Sequence, residues 1–233
     1  MTFSMIKYPC PYILTVIVCL SFASCNLQTK ETNLLKSDKI VQVGGPFENK
    51  EFIYYSIPKI MSQVDTSPGW TQEGQKILLT GIIYQNDGKT PASDVLMYYY
   101  HTNTYGRYVH KTEERRSMPP NTLGQTHGYI RGWVKTDTTG RYSIYTVRPA
   151  AYPTYEEPEH IHVTIKEPGN INEYYIDDFV FDDDKFLTQE NRQRMENRCG
   201  SGIVKLVQTG ELSIGERKIT LGLNIPDYPV KSQ

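Results

Sequence analysis

The chain has 233 residues, with 25 Lys and Arg against 26 Asp and Glu, a formal net charge of −1. Charges this evenly balanced, without a long basic run, leave no electrostatic footprint for nucleic acid. Four cysteines do not make a disulfide scaffold, so the fold must rest on a hydrophobic core, and 18 Tyr against 7 Phe and 2 Trp favour strands and polar surfaces.

Taken in chain order, residues 1–24 read as a signal peptide. Lys7 precedes an apolar run from Tyr12 to Phe22, too short to span a membrane. The run ends in Phe22-Ala23-Ser24-Cys25, which resembles the lipidation site of bacterial lipoproteins, with Phe22 in place of the usual aliphatic residue. The expectation is an exported protein tied to the cell envelope through lipidated Cys25. Cys10 and Cys19 would leave with the signal, so Cys199 would have no partner within the chain and is expected as a small buried residue. Residues 25–74 form a polar tether to about residue 45 and an irregular lead-in.

Residues 75–233 form the folded domain. Short β-rich runs occur at 77–84, 95–102, 130–137, 141–147, 160–167, 174–181, 202–209 and 218–225. Turn residues separate them, among them Asn86-Asp87-Gly88, Thr138-Thr139-Gly140 and Pro168-Gly169. Such spacing predicts an all-β fold, an antiparallel β-sandwich. One short surface helix is expected after Thr188, a good N-cap, ending near Gly200.

The chemistry starts at His160-Ile161-His162. In a strand the two imidazoles share one face while Ile161 and Val163 turn to the other. Two such imidazoles can hold one metal ion. The run His-x-His with Glu167 further on partly resembles a cupin motif, but Thr154 stands where that motif needs Gly and no His follows His162.

Upstream tyrosines complete a better pattern. Gly106-Arg107-Tyr108-Val109-His110 is followed by Thr136-Asp137, Gly140 and Tyr142, by Arg148-Pro149 with Tyr152-Pro153, and by Pro158-Glu159-His160-Ile161-His162. This ordered set resembles the intradiol ring-cleavage dioxygenases over roughly residues 77–181. The resemblance implies one non-haem Fe(III) held by Tyr108, Tyr152, His160 and His162, with an aromatic 1,2-diol and O2 as substrates. It further implies that Tyr152 leaves the metal when substrate binds and can accept a proton, and that the protein can form oligomers. Tyrosinate is a hard anionic donor suited to ferric iron, and coordination must drive its deprotonation, because free Tyr has a pKa of about 10.

One position departs from the family. A catalytic Arg is expected three residues before the first ligand His, and Glu157 stands there. A carboxylate near a catecholate would repel it. Arg131 or Arg148 could serve instead, the substrate could differ, or the site could bind metal without turnover. A second departure is Tyr100, where the family has Trp before the first tyrosine motif. The rival readings are a zinc hydrolase site using His160, His162 and one upstream His, and a binding module on the cell envelope. His110 and His127 are candidates for neighbours of the site. Asp177, Asp178 and Asp182 to Asp184 read as a solvated strand end rather than a Ca²⁺ loop.

Overall fold

Strand alternation builds the core. The computed structural model describes residues 39–229; the signal and lipidation readings at residues 1–25 lie outside them. In chain order the elements are α1 (Glu51–Tyr54), β1 (Val64–Thr66), a 3-10 turn (Pro68–Thr71), β2 (Lys76–Tyr84), β3 (Leu96–Tyr100), β4 (Arg131–Lys135), β5 (Arg141–Val147), β6 (His160–Lys166), β7 (Tyr174–Tyr175), β8 (Phe179–Phe181), α2 (Gln189–Arg194), β9 (Ile203–Val204), β10 (Leu206–Thr209), β11 (Leu212–Glu216) and β12 (Ile219–Thr220).

Two sheets form the expected sandwich. One has the order β1-β5-β2-β11-β10 with β12 also on β2; the other runs β4-β3-β6-β8-β9 with β7 on β6. The main ladders are antiparallel, β2 with β5 and β3 with both β4 and β6. Four pairings are parallel: β1 with β5, β2 with β11, β2 with β12, and β8 with β9. Ile77 and Leu79 of β2, Ile144 of β5, Met97 and Tyr99 of β3, and Ile161, Val163 and Ile165 of β6 meet in the interior, all fully buried. Burying a Val, Leu or Ile side chain contributes about 1.5–3 kcal/mol, so this shared face fixes the register of every strand that carries it.

The alternation that turns Ile161 and Val163 inward turns His160 and His162 to the outer face of the second sheet. Tyr98 and Tyr100 of β3 reach the same face, and Tyr100 pairs with His162 across the ladder. A second, smaller cluster of Ile53, Tyr98 and Trp133 covers part of that face, with Phe47, Ile57 and Met61 packed against it. The lead-in therefore belongs to the fold. The tether expected to residue 45 ends earlier: Val41 bridges to Ile171, and Val43 joins the core. Sparse polar sequence hid these contacts, since two valines are too few to show a period.

Other boundaries moved for local reasons. The run 174–181 is broken at Ile176-Asp177-Asp178. The run 202–209 is split because Ile203–Val204 pairs in the second sheet and Leu206–Thr209 in the first. Strand β11 was not among the expected runs; Gly215 within it gives room where a Cβ would meet Val204 Cγ1 at 2.4 Å. Thr188 caps α2 by accepting from the Asn191 N–H at 3.2 Å, but the helix ends at Arg194 rather than near Gly200. Cys199 is buried in the core as expected, and burial pushes its thiol up to about 12.

Candidate metal centre

Two loops and one strand deliver four donor atoms to one point. Tyr108 follows the turn Asn103–Arg107, in which the Asn103 side chain accepts from the N–H groups of Tyr105 and Arg107, each at 3.0 Å. Tyr152 sits on the segment after β5. The loops are laced together: Ala150 N–H donates to Asn103 O at 3.2 Å, and Thr102 Oγ1 donates to Ala150 O at 2.7 Å. Gly106, at φ +69°, makes the closest approach, because a Cβ there would lie 2.0 Å from Ala151 O. Only glycine allows both the turn and the contact.

The Tyr108 and Tyr152 hydroxyls lie 2.8 Å apart. Tyr152 Oη is 3.4 Å from His162 Nε2, and His162 Nε2 is 3.1 Å from His160 Nε2. Donors bonded to one ion at about 2.0–2.1 Å lie about 3.3 Å apart when arranged tetrahedrally. The four donors predicted for iron thus come together, with spacing and chemistry that fit a ferric ion: two potential phenolates and two imidazoles. Without an ion, both tyrosines stay protonated. Burial raises the pKa of Tyr108 far above the usual phenol value, and the neighbouring Tyr152 raises it further; burial also raises Tyr152.

The far nitrogen of each imidazole is held. His160 Nδ1 lies 2.7 Å from Pro158 O, so it carries the proton and leaves Nε2 free. His162 Nδ1 lies 2.9 Å from Asp178 Oδ2. Carboxylate and carbonyl partners of this kind fix the tautomer and strengthen the imidazole as a donor. Burial opposes charge on His162, but the Asp178 carboxylate outweighs it and raises the pKa. Burial likewise works against Asp178, and His162 more than offsets this. His160 is lowered by burial and then by His162.

Asp178 corrects the reading of the acidic cluster as a solvated strand end. The break between β7 and β8 turns its side chain onto His162, with 29 % of it exposed. The others have structural partners: Asp177 accepts from the N–H groups of Asn197 and Arg198, Asp182 binds Arg192, Asp183 binds Arg148, and Asp184 accepts from Glu159 N–H and Phe186 N–H. Two adjacent aspartates in an apolar strand were the one sequence sign of that break. Asp178 also lies close to His160 and His162 as a potential third ligand, but it faces Nδ1 of His162, the side opposite the cluster.

The upstream histidines do not join. His101 is buried between Thr102 O and Thr146 Oγ1, His110 bonds Ser117 Oγ, and His127 bonds Tyr98 Oη. Among the described residues, the third histidine of a zinc site is therefore not at the cluster. Neither proposed substitute arginine reaches it. Arg131 is buried behind Tyr98, and Arg148 is paired with Glu159 and Asp183. Glu157 is exposed; its charge adds to the electrostatics of Tyr152, His160 and His162.

A cavity of about 520 Å³ opens onto the cluster, lined by Tyr108, Tyr152 and His162 together with Tyr100, His127, Phe52 and Arg107. Among the described residues Arg107 is its only Lys or Arg, and no carboxylate lines it. Tyr100, between His127 and His162, stacks on the first at 3.4 Å and the second at 4.5 Å.

A family model described as Dioxygenase matches residues 54–199, more than half of the chain. The protocatechuate 3,4-dioxygenase beta chain of Burkholderia cepacia is 35% identical over 98 residues, 40% of this chain and 39% of that protein. Catechol 1,2-dioxygenase 2 of Acinetobacter lwoffii is 27% identical over 137 residues, 48% of this chain and 46% of that one. The chain thus spans less than half the length of these curated relatives. The fold is similar to the dioxygenase domain of a dioxygenase carbohydrate-binding protein fusion from Streptomyces sp. SirexAA-E, with TM-score 0.50, 18% identity, and coverage of 71% of this chain and 92% of that one. It is also similar to 3-chlorocatechol 1,2-dioxygenase from Rhodococcus opacus 1CP, with TM-score 0.50, 19% identity, and coverage of 70% and 67%. With its two-sheet sandwich and the spaced tyrosine and histidine motifs, the chain belongs to the intradiol ring-cleavage dioxygenase family.

Proposed function

We propose that this protein binds one Fe(III) through Tyr108, Tyr152, His160 and His162 and cleaves an aromatic 1,2-diol between its hydroxyl-bearing carbons. Both atoms of O2 enter the product, a ring-opened dicarboxylic acid. The observation that carries this reading is the convergence of two phenol oxygens and two imidazole nitrogens, linked by separations of 2.8, 3.4 and 3.1 Å. When bound, the ferric ion supplies Lewis acidity that favours the diol dianion and opens the ring to attack by O2.

The residues of the chain do the rest. Pro158 O and Asp178 hold the two imidazoles with Nε2 forward. Tyr108 is locked by the turn at Asn103 and stays in place. Tyr152 has Tyr108 on one side and His162 on the other, and lines the cavity as well. It is therefore placed to take a proton from an incoming hydroxyl. Tyr100 and Phe52 contribute aromatic surface to the cavity wall beside the substrate ring.

The test is a visible spectrum of the iron-loaded protein, followed by O2 uptake with catechol. A strong charge-transfer band that weakens in Tyr108→Phe and in Tyr152→Phe and disappears when both are changed, and one O2 consumed per ring opened, are the expected results. A colourless protein that holds iron refutes the ligand set. A coloured protein that changes its spectrum with catechol but consumes no O2 makes it a diol-binding module.

A further inference from the structure

His127 is the group on the cavity wall that the ligand set does not use. Its surroundings settle which nitrogen carries the proton. Arg131 Nη1 lies 3.2 Å from Tyr98 Oη, and a guanidinium can only donate, so the tyrosine oxygen accepts. Tyr98 Oη lies 2.8 Å from His127 Nδ1, the acceptor to which its proton is directed. His127 Nδ1 is then unprotonated, and Nε2 carries the hydrogen.

The relay starts from an unusual source. Arg131 is wholly buried and, among the described residues, has no acidic partner. It donates to the carbonyls of Phe52 and Tyr55, rests 4.9 Å from the Trp133 ring, and leaves Nε without a hydrogen-bond partner. A buried cation favours any neighbour that accepts, so it keeps the Tyr98 proton pointing away from itself. It also disfavours a second positive charge on His127. Burial is the larger cause, and with His162 and Arg131 it lowers His127 to about 2, which keeps the ring neutral.

The ring is clamped on three sides. Tyr100 covers its face at 3.4 Å and 3°, Phe52 meets it edge-on at 4.9 Å, and Tyr98 holds Nδ1. Among the described residues Nε2 makes no hydrogen bond, and it is not buried, while the ring lines the cavity. Two stacking steps, 3.4 Å and 4.5 Å, separate His127 from His162. Its donor therefore meets the far part of a bound molecule rather than the oxygens at the donor cluster.

We infer that His127 is a specificity-determining residue: a fixed, neutral Nε2–H donor that selects diols bearing a hydrogen-bond-accepting substituent, a carboxylate above all, on the ring edge away from the hydroxyls. Tyr98 and Arg131 are its positioning residues. Arg107 on the same lining, with no carboxylate there, leaves an anionic substituent unopposed. The inference rests on the proposed diol chemistry, although the tautomer itself does not.

The tautomer is read first, by long-range ¹H–¹⁵N correlation on the metal-free protein. Wild type should show Nε2–H at His127, and Tyr98→Phe should show a mixture. Binding is read next, anaerobically, from the charge-transfer band of the iron-loaded protein titrated with catechol and with 3,4-dihydroxybenzoate. His127→Phe keeps a flat ring on Tyr100 but removes the donor. It should weaken 3,4-dihydroxybenzoate about tenfold or more and leave catechol within about twofold. His127→Gln, which restores an N–H, should recover part of the loss. A wild-type ring protonated at Nδ1, or equal effects of His127→Phe on both diols, overturns the inference. A wild-type protein that holds iron and binds neither diol overturns the proposed function, and this inference with it.

Discussion

Asp178→Asn is the sharpest perturbation of the centre, because it removes one charge while keeping the side-chain shape. In the wild type, Oδ2 lies 2.9 Å from His162 Nδ1, and His162 more than offsets the opposing effect of burial and favours the ionised carboxylate, so the contact is a charge-assisted hydrogen bond. Hydrogen bonds of that kind contribute about 1.5–3 kcal/mol. The carboxylate side chain is 29 % exposed, so solvent screening places the expected value near the middle, about 2 kcal/mol. That is roughly a 30-fold weaker grip on Fe(III), within the range of about 10–100-fold for partners of ligand histidines. The assay is competitive chelator titration followed by the charge-transfer band, with Asp178→Glu as the conservative control. Thermal melting of the metal-free protein serves as a check on folding. The variant should hold iron more weakly and show a higher reduction potential, because a less basic imidazole stabilises ferric iron less. If Asp178→Asn binds iron as tightly as wild type at unchanged potential, Asp178 does not support His162, and the assignment of that contact fails.

Four further outcomes follow from particular contacts. Gly132→Ala places a Cβ 2.0 Å from Asp65 Oδ2 and 2.5 Å from Tyr99 Oη, at the carboxylate that binds Arg116; it should cost about 3 kcal/mol of stability in urea unfolding, and a cost below 1 kcal/mol would refute the fit. Burial first of all lowers His101 from 6.5 to about 4, so its neutral form stabilises the fold above pH 6.5 and that contribution is lost as pH falls towards 4. The loss is about 3 kcal/mol, and His101→Gln should remove one proton's worth of the pH slope; an unchanged slope refutes the assignment. Glu157→Arg acts from an exposed position outside the cavity wall, so it should raise kcat/KM for 3,4-dihydroxybenzoate by no more than about fivefold and leave catechol unchanged; a gain of a hundredfold would put Glu157 inside the site. Cys25→Ala should move the protein from the membrane fraction to the soluble fraction, and an unchanged distribution excludes the lipid anchor.

The alternation of apolar residues in β6 was enough to place His160 and His162 on one face and Ile161 and Val163 in the core, because strand geometry leaves no other arrangement. The ordered tyrosine motifs likewise singled out Tyr108 and Tyr152, whose hydroxyls lie 2.8 Å apart, and turn residues marked most strand ends. What linear order could not supply was contact across it. Asp178 reaches His162 because the run 174–181 breaks directly after Tyr175, and the relay from Arg131 through Tyr98 to His127 joins a loop to two strands. Arg131 and Arg148 were equally eligible in sequence, and burial together with ion pairing removed both from the cavity. Local periodicity is written in neighbours two residues apart, so the strands and the histidine pair on one face are legible from the chain itself. Pro158 O, which orients His160, is a near neighbour in the chain, but the carboxylate that orients His162 lies 16 residues further on, where only the packing of one sheet against its covering loops decides which groups meet.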